Sequence, residues 1–288
     1  MELSVFTDEI TQDFGRALEV AAREFRLGYV ELRGLWNKSV VALDSREIAE
    51  ARRLLERYRL RVSSIAGPLF KVDWPGAPPS PVRSPGDYDF AQQKEVLERE
   101  LELARVFRTE HVRCFDFWRL EQPGPYRAAI DETLREAAEK AGKRGKTLVM
   151  ENEHACNTAT GAEAARTLAA VRSPHFKLNW DPGNAAFHGE VPFPDGYARI
   201  PKGRIGHVHC KDVARGASGA LEWAAMGSGT IDYVGQFRAL RKDGYTGPLV
   251  LETHWRGAGT AEESTRRSMA GMQEQLRHAG FRHQHRPR

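Results

Sequence analysis

The chain has 288 residues, 41% hydrophobic and 28% charged, with a formal charge of +4 at pH 7. Its apolar share is enough for a large core and argues against general disorder, and its length suits a closed barrel of alternating strands and helices, which runs to about 250 residues as one domain. The basic excess lies in the tail, where Arg277, Arg282, Arg286 and Arg288 follow Leu276 with no acid between them; setting those arginines aside brings +4 to zero, so the charge does not indicate a nucleic-acid partner.

Cys114, Cys156 and Cys210 have no CxxC spacing and cannot all pair, which fits a reducing, cytoplasmic setting. Residues 1–7 lack a basic stretch leading into a long apolar one, and no run approaches the ~18 apolar residues of a membrane span. Neither a signal peptide nor a membrane partner is expected.

In chain order, short apolar or β-branched runs alternate with helical patterns. Strands are predicted at 3–6, 29–32, 61–65, 111–115, 147–150, 176–179, 205–208 and 249–251. Helices are predicted at 14–24, 45–58, 88–107, 126–143, 161–171, in a short stretch near Tyr197, and at 233–242 and 261–279. Gly28, Gly145 and Gly244 fall just past helical patterns, where glycine relieves the left-handed cap. Repeated βα units imply a parallel sheet closed as a (β/α)8 TIM barrel, with a doubly wound open sheet as the alternative. One domain is expected over 1–280, followed by a basic tail over 281–288 in which His283 and His285 are solvated.

Segment 68–87 contains Pro68, Pro75, Pro78, Pro79, Pro81 and Pro85, so it is neither helix nor central strand and should be a long loop over the barrel mouth. The Gly- and Ala-rich stretch 213–229 reads as a second such loop.

Four polar positions close the last four apolar runs: Glu151, Asp181, His209 and Glu252. Strand C-terminal ends converge on one face of a barrel, so these residues should be neighbours although distant in sequence. Three carboxylates and one imidazole make an oxygen-rich shell for a single divalent cation, Mn²⁺ or Mg²⁺ first, with Co²⁺, Fe²⁺ or Zn²⁺ also compatible. Glu151 and Glu252 could double as the groups that transfer protons. His207 lies on the same side of its strand as His209, as a pocket residue or a core histidine. No Walker loop or GxGxxG follows a strand, so no nucleotide cofactor is expected.

The segments around Glu151-Asn152, Trp180-Asp181-Pro182-Gly183-Asn184, His207-Val208-His209-Cys210-Lys211-Asp212 and Gly244-Tyr245-Thr246-Gly247-Pro248 through Glu252 resemble the xylose isomerase-like barrel superfamily. The resemblance is to its sugar phosphate isomerase/epimerase branch, with ketose 3-epimerases, hydroxypyruvate isomerases and inosose dehydratases. It implies metal ligands at Glu151, Asp181, His209 and Glu252 and an acid/base pair at Glu151 and Glu252. It also implies an isomerase or epimerase working through a metal-stabilised enediolate on a small polyhydroxy carbonyl compound: a sugar, sugar phosphate or keto-inositol. Arg215 matches a substrate-contacting arginine of the ketose epimerases, and Lys211 belongs to a Lys-Asp pair common in the family. Asn184 and Asn157 stand where those epimerases have a histidine and a glutamate, departures that count against a free ketohexose. Loss of a β-hydroxyl from the same enolate would make the enzyme a lyase of the inosose dehydratase or 3-keto-glycoside-cleaving kind. An endonuclease of this barrel type would need further histidines where the chain has Glu31, Arg33, Ala66 and Gly67, and a non-catalytic sugar-binding protein would not need both glutamates. A homodimer is expected by analogy alone.

Overall fold

A computed structural model of the chain describes residues 1–84 and 86–281; Pro85 and residues 282–288 lie outside the described residues, and with them most of the expected tail. The barrel strands are β1 (Glu2–Val5), β2 (Tyr29–Leu32), β3 (Arg61–Ile65), β4 (His111–Cys114), β5 (Thr147–Glu151), β6 (Phe176–Trp180), β7 (Ile205–Cys210) and β8 (Pro248–Leu251). They form one 8-stranded sheet in cyclic order, with β1 beside β8 and β2 at the far end. Every pairing is parallel, and a parallel bridge between Phe6 and Glu31 joins β1 to β2 and closes the ring. No described helix is long and apolar enough to cross a membrane.

The helices form because their apolar residues recur on one face and their first turns are capped. Asp44 and Glu47 make a reciprocal capping box at the start of Ser45–Tyr58, and Thr160 and Glu163 make another at Gly161–Ala170. Their buried faces join the strands in the main apolar core, which lies outside the barrel wall. The barrel interior is different. Phe6, Ala66 and Val250 form a small apolar cluster there, while Ser4, Ser63, Glu31, His207 and His209 are buried polar groups. Each such group needs a partner inside the protein, since an unmet one costs about 1–3 kcal/mol.

Two expectations are corrected, and one helix is new. The stretch 213–229 is not simply a loop, because Asp212–Arg215 pairs antiparallel with Leu221–Ala224. The helix expected from 88 starts at Gln93. A short helix, Pro182–Phe187, had no periodic signature, and it forms because Asp181 caps it and Pro182 is tolerated at its first position.

His111, at the start of β4, packs edge-on against His207 with ring centroids 5.5 Å apart. Burial, then the neighbouring charge of His207, lowers its pKa from 6.5 to about 3. The unfolded chain therefore binds a proton that the folded chain refuses, so this contribution to stability is present above pH 6.5 and is lost as the pH falls towards 3. In urea unfolding at several pH values, His111→Gln should reduce the acid loss of stability by up to about 1.4 kcal/mol per pH unit in that window. Parallel pH profiles for the two proteins would show that His111 contributes nothing to it.

Candidate metal and proton-transfer centre

The last four strands deliver four side chains to one point. Glu151 ends β5, His209 lies near the end of β7, and Asp181 and Glu252 are the first residues after β6 and β8. All four are buried, and one ligand atom from each lies within 4.8 Å of the others. Local backbone clamps hold this register. Asn152 Nδ2 donates to the Asp181 carbonyl at 2.8 Å, while Asp181 N donates to Asn152 Oδ1 at 2.7 Å, tying the ends of β5 and β6 together.

Asp181 spends one oxygen on its cap, Oδ1 accepting from Asn184 N at 2.9 Å. The other, Oδ2, accepts no hydrogen bond although buried; the Lys211 ammonium lies 3.0 Å away, outside hydrogen-bonding geometry. An under-used carboxylate oxygen beside two glutamates and an imidazole fits a hard divalent cation.

Cationic side chains surround the acids. Arg33 is a hub, with Nη1 on Glu252 Oε1 at 2.7 Å, Nε on Asp8 at 2.8 Å and Nη2 on Glu9 at 2.7 Å. Lys211 Nζ donates to Glu252 Oε2 at 2.8 Å. Arg113 holds Glu151 Oε2 at 3.0 Å and the Ala66 carbonyl at 2.7 Å. Burial works against ionisation of Glu252, but Lys211, His254 and Arg33 outweigh it and hold its pKa well below the usual carboxylate range. The same contest at Glu151 is won by His209 and Arg113, lowering its pKa. Asp181 is pushed up to about 7, since burial and the charges of Glu151 and Glu252 exceed the help from Lys211. His209 is pushed up to about 10, because Glu151 and Glu31 overcome the burial that disfavours its charge.

Of the other residues singled out in the sequence, three join this assembly. Asn184 Nδ2 donates to Glu151 Oε1 at 3.1 Å, and its Oδ1 faces His154 Nδ1 at 3.1 Å. Lys211 sits among the acids, and His207 lies deeper, 2.6 Å from Glu31. Two are not brought to the cluster. Asn157 spends its amide on backbone, donating to the Asp116 carbonyl at 2.8 Å and accepting from Leu120 N at 3.0 Å. Arg215 is exposed on the hairpin, donating to the Gly219 carbonyl at 2.9 Å.

Glu31 meets two histidines, and Arg33 meets Asp8, Glu9 and Glu252. Phe70 and Trp74 pack against Phe117 and so pin the proline-rich loop. An aromatic surface near the cluster comes from Trp223, which packs tilted against Phe187 at 4.1 Å and meets His254 edge-on at 5.0 Å. Arg113 was missed as a site residue, although a lone charge between Val112 and Cys114 in an apolar strand is a sequence signal for a paired buried group.

A closed barrel with an acid-rich, cation-fitting cluster at its C-terminal mouth defines the class. Residues 20–275 match the family described as xylose isomerase-like TIM barrel, and the chain belongs to that family. It is 26% identical over 175 residues to L-ribulose-5-phosphate 3-epimerase UlaE of Escherichia coli strain K12, spanning about 60% of the length of each. In structure it is similar to the probable 3-DHS dehydratase AsbF of Bacillus anthracis, at TM-score 0.72 and 18% identity over 95% of this chain and 98% of that one. A second similar structure is a xylose isomerase-like TIM barrel protein of Mycobacterium smegmatis in complex with magnesium, at TM-score 0.68 and 19% identity over 92% and 89% of the two chains. At such identities these likenesses speak to the fold.

Proposed function

We propose that the chain is a divalent-metal-dependent isomerase or epimerase of a small polyhydroxy carbonyl compound. The observation that carries this reading is the convergence of Glu151, Asp181, His209 and Glu252, buried and within 4.8 Å of one another. Similarity to an L-ribulose-5-phosphate 3-epimerase over part of the chain supports a sugar or sugar phosphate as substrate. Held by these four residues, a divalent cation, with Mn²⁺ or Mg²⁺ favoured by the donor set, would supply Lewis acidity to a carbonyl and the neighbouring hydroxyl oxygen.

The chain's own residues carry the protons. One of Glu151 and Glu252 removes the proton from the carbon next to the carbonyl through a carboxylate oxygen, and the other returns one. Arg33 and Lys211 fix the Glu252 carboxylate from two sides, while Arg113 and Asn184 fix Glu151. Neither carboxylate has freedom to turn away, which favours reaction through positioning.

The test is proton/deuterium exchange followed by NMR on ketoses, ketose phosphates and keto-inositols. Exchange next to the carbonyl should require added Mn²⁺ or Mg²⁺ and disappear on chelation. Exchange accompanied by an unsaturated product would assign the lyase reaction to the same groups. Metal binding with no exchange on any member of the panel would count against the isomerase reading.

A further inference from the structure

Beneath the four-residue cluster lies a buried group that the proton-transfer scheme does not use. Glu31, in the middle of β2, is fully enclosed. Its Oε2 stands 2.6 Å from His207 Nε2 and its Oε1 stands 3.0 Å from His209 Nε2. Ser63 Oγ donates to Oε2 at 3.1 Å.

An ionised carboxylate can only accept hydrogen bonds, so each imidazole presents Nε2–H to it. On His209 this leaves Nδ1 facing the other way, 3.3 Å from Glu151 Oε1 and 3.6 Å from Glu252 Oε2. Glu31 thus keeps a proton on Nε2 of His209 and, with the Asn179 amide nitrogen 3.1 Å from each ring nitrogen, fixes which way the ring points, leaving Nδ1 as the nitrogen a cation would take. Phe6, edge-on to His209 with centroids 4.9 Å apart, limits rotation of the ring.

We propose that Glu31 is a positioning residue that commits His209 Nδ1 as the cation ligand. The proposal rests on the reading that Glu151, Asp181, His209 and Glu252 hold one cation. It extends that reading to a residue on the opposite side of the barrel, 178 positions from His209 in sequence. A carboxylate behind a ligating imidazole sharpens its orientation and basicity, and losing such a partner typically weakens metal binding 10- to 100-fold.

The same three residues, Glu31, His207 and His209, are close enough to be read as a second cation site. The contacts of 2.6 and 3.0 Å are those of charge-assisted hydrogen bonds, and each carboxylate oxygen already has its own imidazole donor. Glu9, Glu252 and His254 make another such group, but Arg33 holds both glutamates at 2.7 Å, so one cation per chain is expected.

The experiment is calorimetric titration of metal-stripped full-length protein with Mn²⁺, for wild type, Glu31→Gln and His111→Gln. Glutamine keeps the shape of Glu31 but presents one acceptor and one donor, so it cannot accept from both rings. Glu31→Gln should bind Mn²⁺ about 10- to 100-fold more weakly, while His111→Gln, a change at a side chain whose ring meets His207 at 5.5 Å and which belongs to none of these clusters, should stay within about threefold of wild type. Unchanged affinity in Glu31→Gln, equal losses in both variants, or two Mn²⁺ per wild-type chain would overturn the proposal.

A measurement on wild type covers the case in which Glu31→Gln does not fold. In long-range proton–nitrogen spectra of histidine-labelled protein, Zn²⁺ should shift Nδ1 of one histidine while its Nε2 keeps the proton; coordination through Nε2 would overturn the assignment. A wild type that binds no cation at all would instead remove the underlying metal reading, a result distinct from any of these.

Discussion

Glu252→Gln should slow deuterium exchange into a responsive substrate by about 10²- to 10⁴-fold, the usual cost of removing a positioned acid/base group. Glutamine keeps the length and planarity of the side chain but cannot take or return a proton. It also lacks the charge that Arg33 meets at 2.7 Å and Lys211 meets at 2.8 Å. Those cations are not stranded, since Arg33 keeps Asp8 and Glu9 and Lys211 keeps Asp181, so the variant should fold. Bound Mn²⁺ must be measured beside exchange, because Glu252 is also a proposed ligand. A variant saturated with Mn²⁺ that still exchanges at more than a tenth of the wild-type rate would leave Glu252 without a role in proton transfer.

Gly271→Ala should destabilise the protein by about 3 kcal/mol, even though alanine normally favours a helix interior over glycine by up to about 1 kcal/mol. Gly271 lies in the helix Ala261–His278, and a Cβ there would stand 1.8 Å from the Met226 carbonyl oxygen and 2.8 Å from its carbon. Both obstacles are backbone, and the turn that carries them cannot easily give way. Gly227 N and Gly229 N each donate to Asp212 Oδ2 at 3.1 Å, and Gly227 itself adopts φ +86°. At this size such a loss corresponds to a melting temperature lowered by roughly 6–9 °C. An unchanged or raised melting temperature in calorimetry would show that the helix can move away from the turn.

The barrel was legible because its signals are local. Alternation of apolar runs with capped helical periods placed all eight strands, and the bounds of Ser45–Tyr58 and Tyr233–Lys242 agree with the expectation because Asp44 and Asp232 cap them. The meeting of the four strand-end residues followed from the fold class, since consecutive strands of a closed barrel must bring their ends together. Their counter-charges were harder to read. Arg33 reaches Glu252 across 219 positions and Arg113 reaches Glu151 across 38, distances over which spacing carries no information. Asn157, which stands where the ketose epimerases have a glutamate, lies apart from the cluster because the turn that follows β5 uses its amide to fasten the loop after β4. The hairpin Asp212–Arg215 with Leu221–Ala224 was hidden by a glycine-rich turn that looks like unstructured chain.

The barrel divides its labour between its two halves. The acids and imidazole proposed to hold a cation all come from β5 to β8, while Glu31, Arg33 and Arg113, which contact them, come from the first four units. Such a division separates two kinds of inherited change. Substitutions at the four second-half donors would delete a donor outright, whereas substitutions at Glu31, Arg33 or Arg113 would retune charge and orientation around an intact donor set.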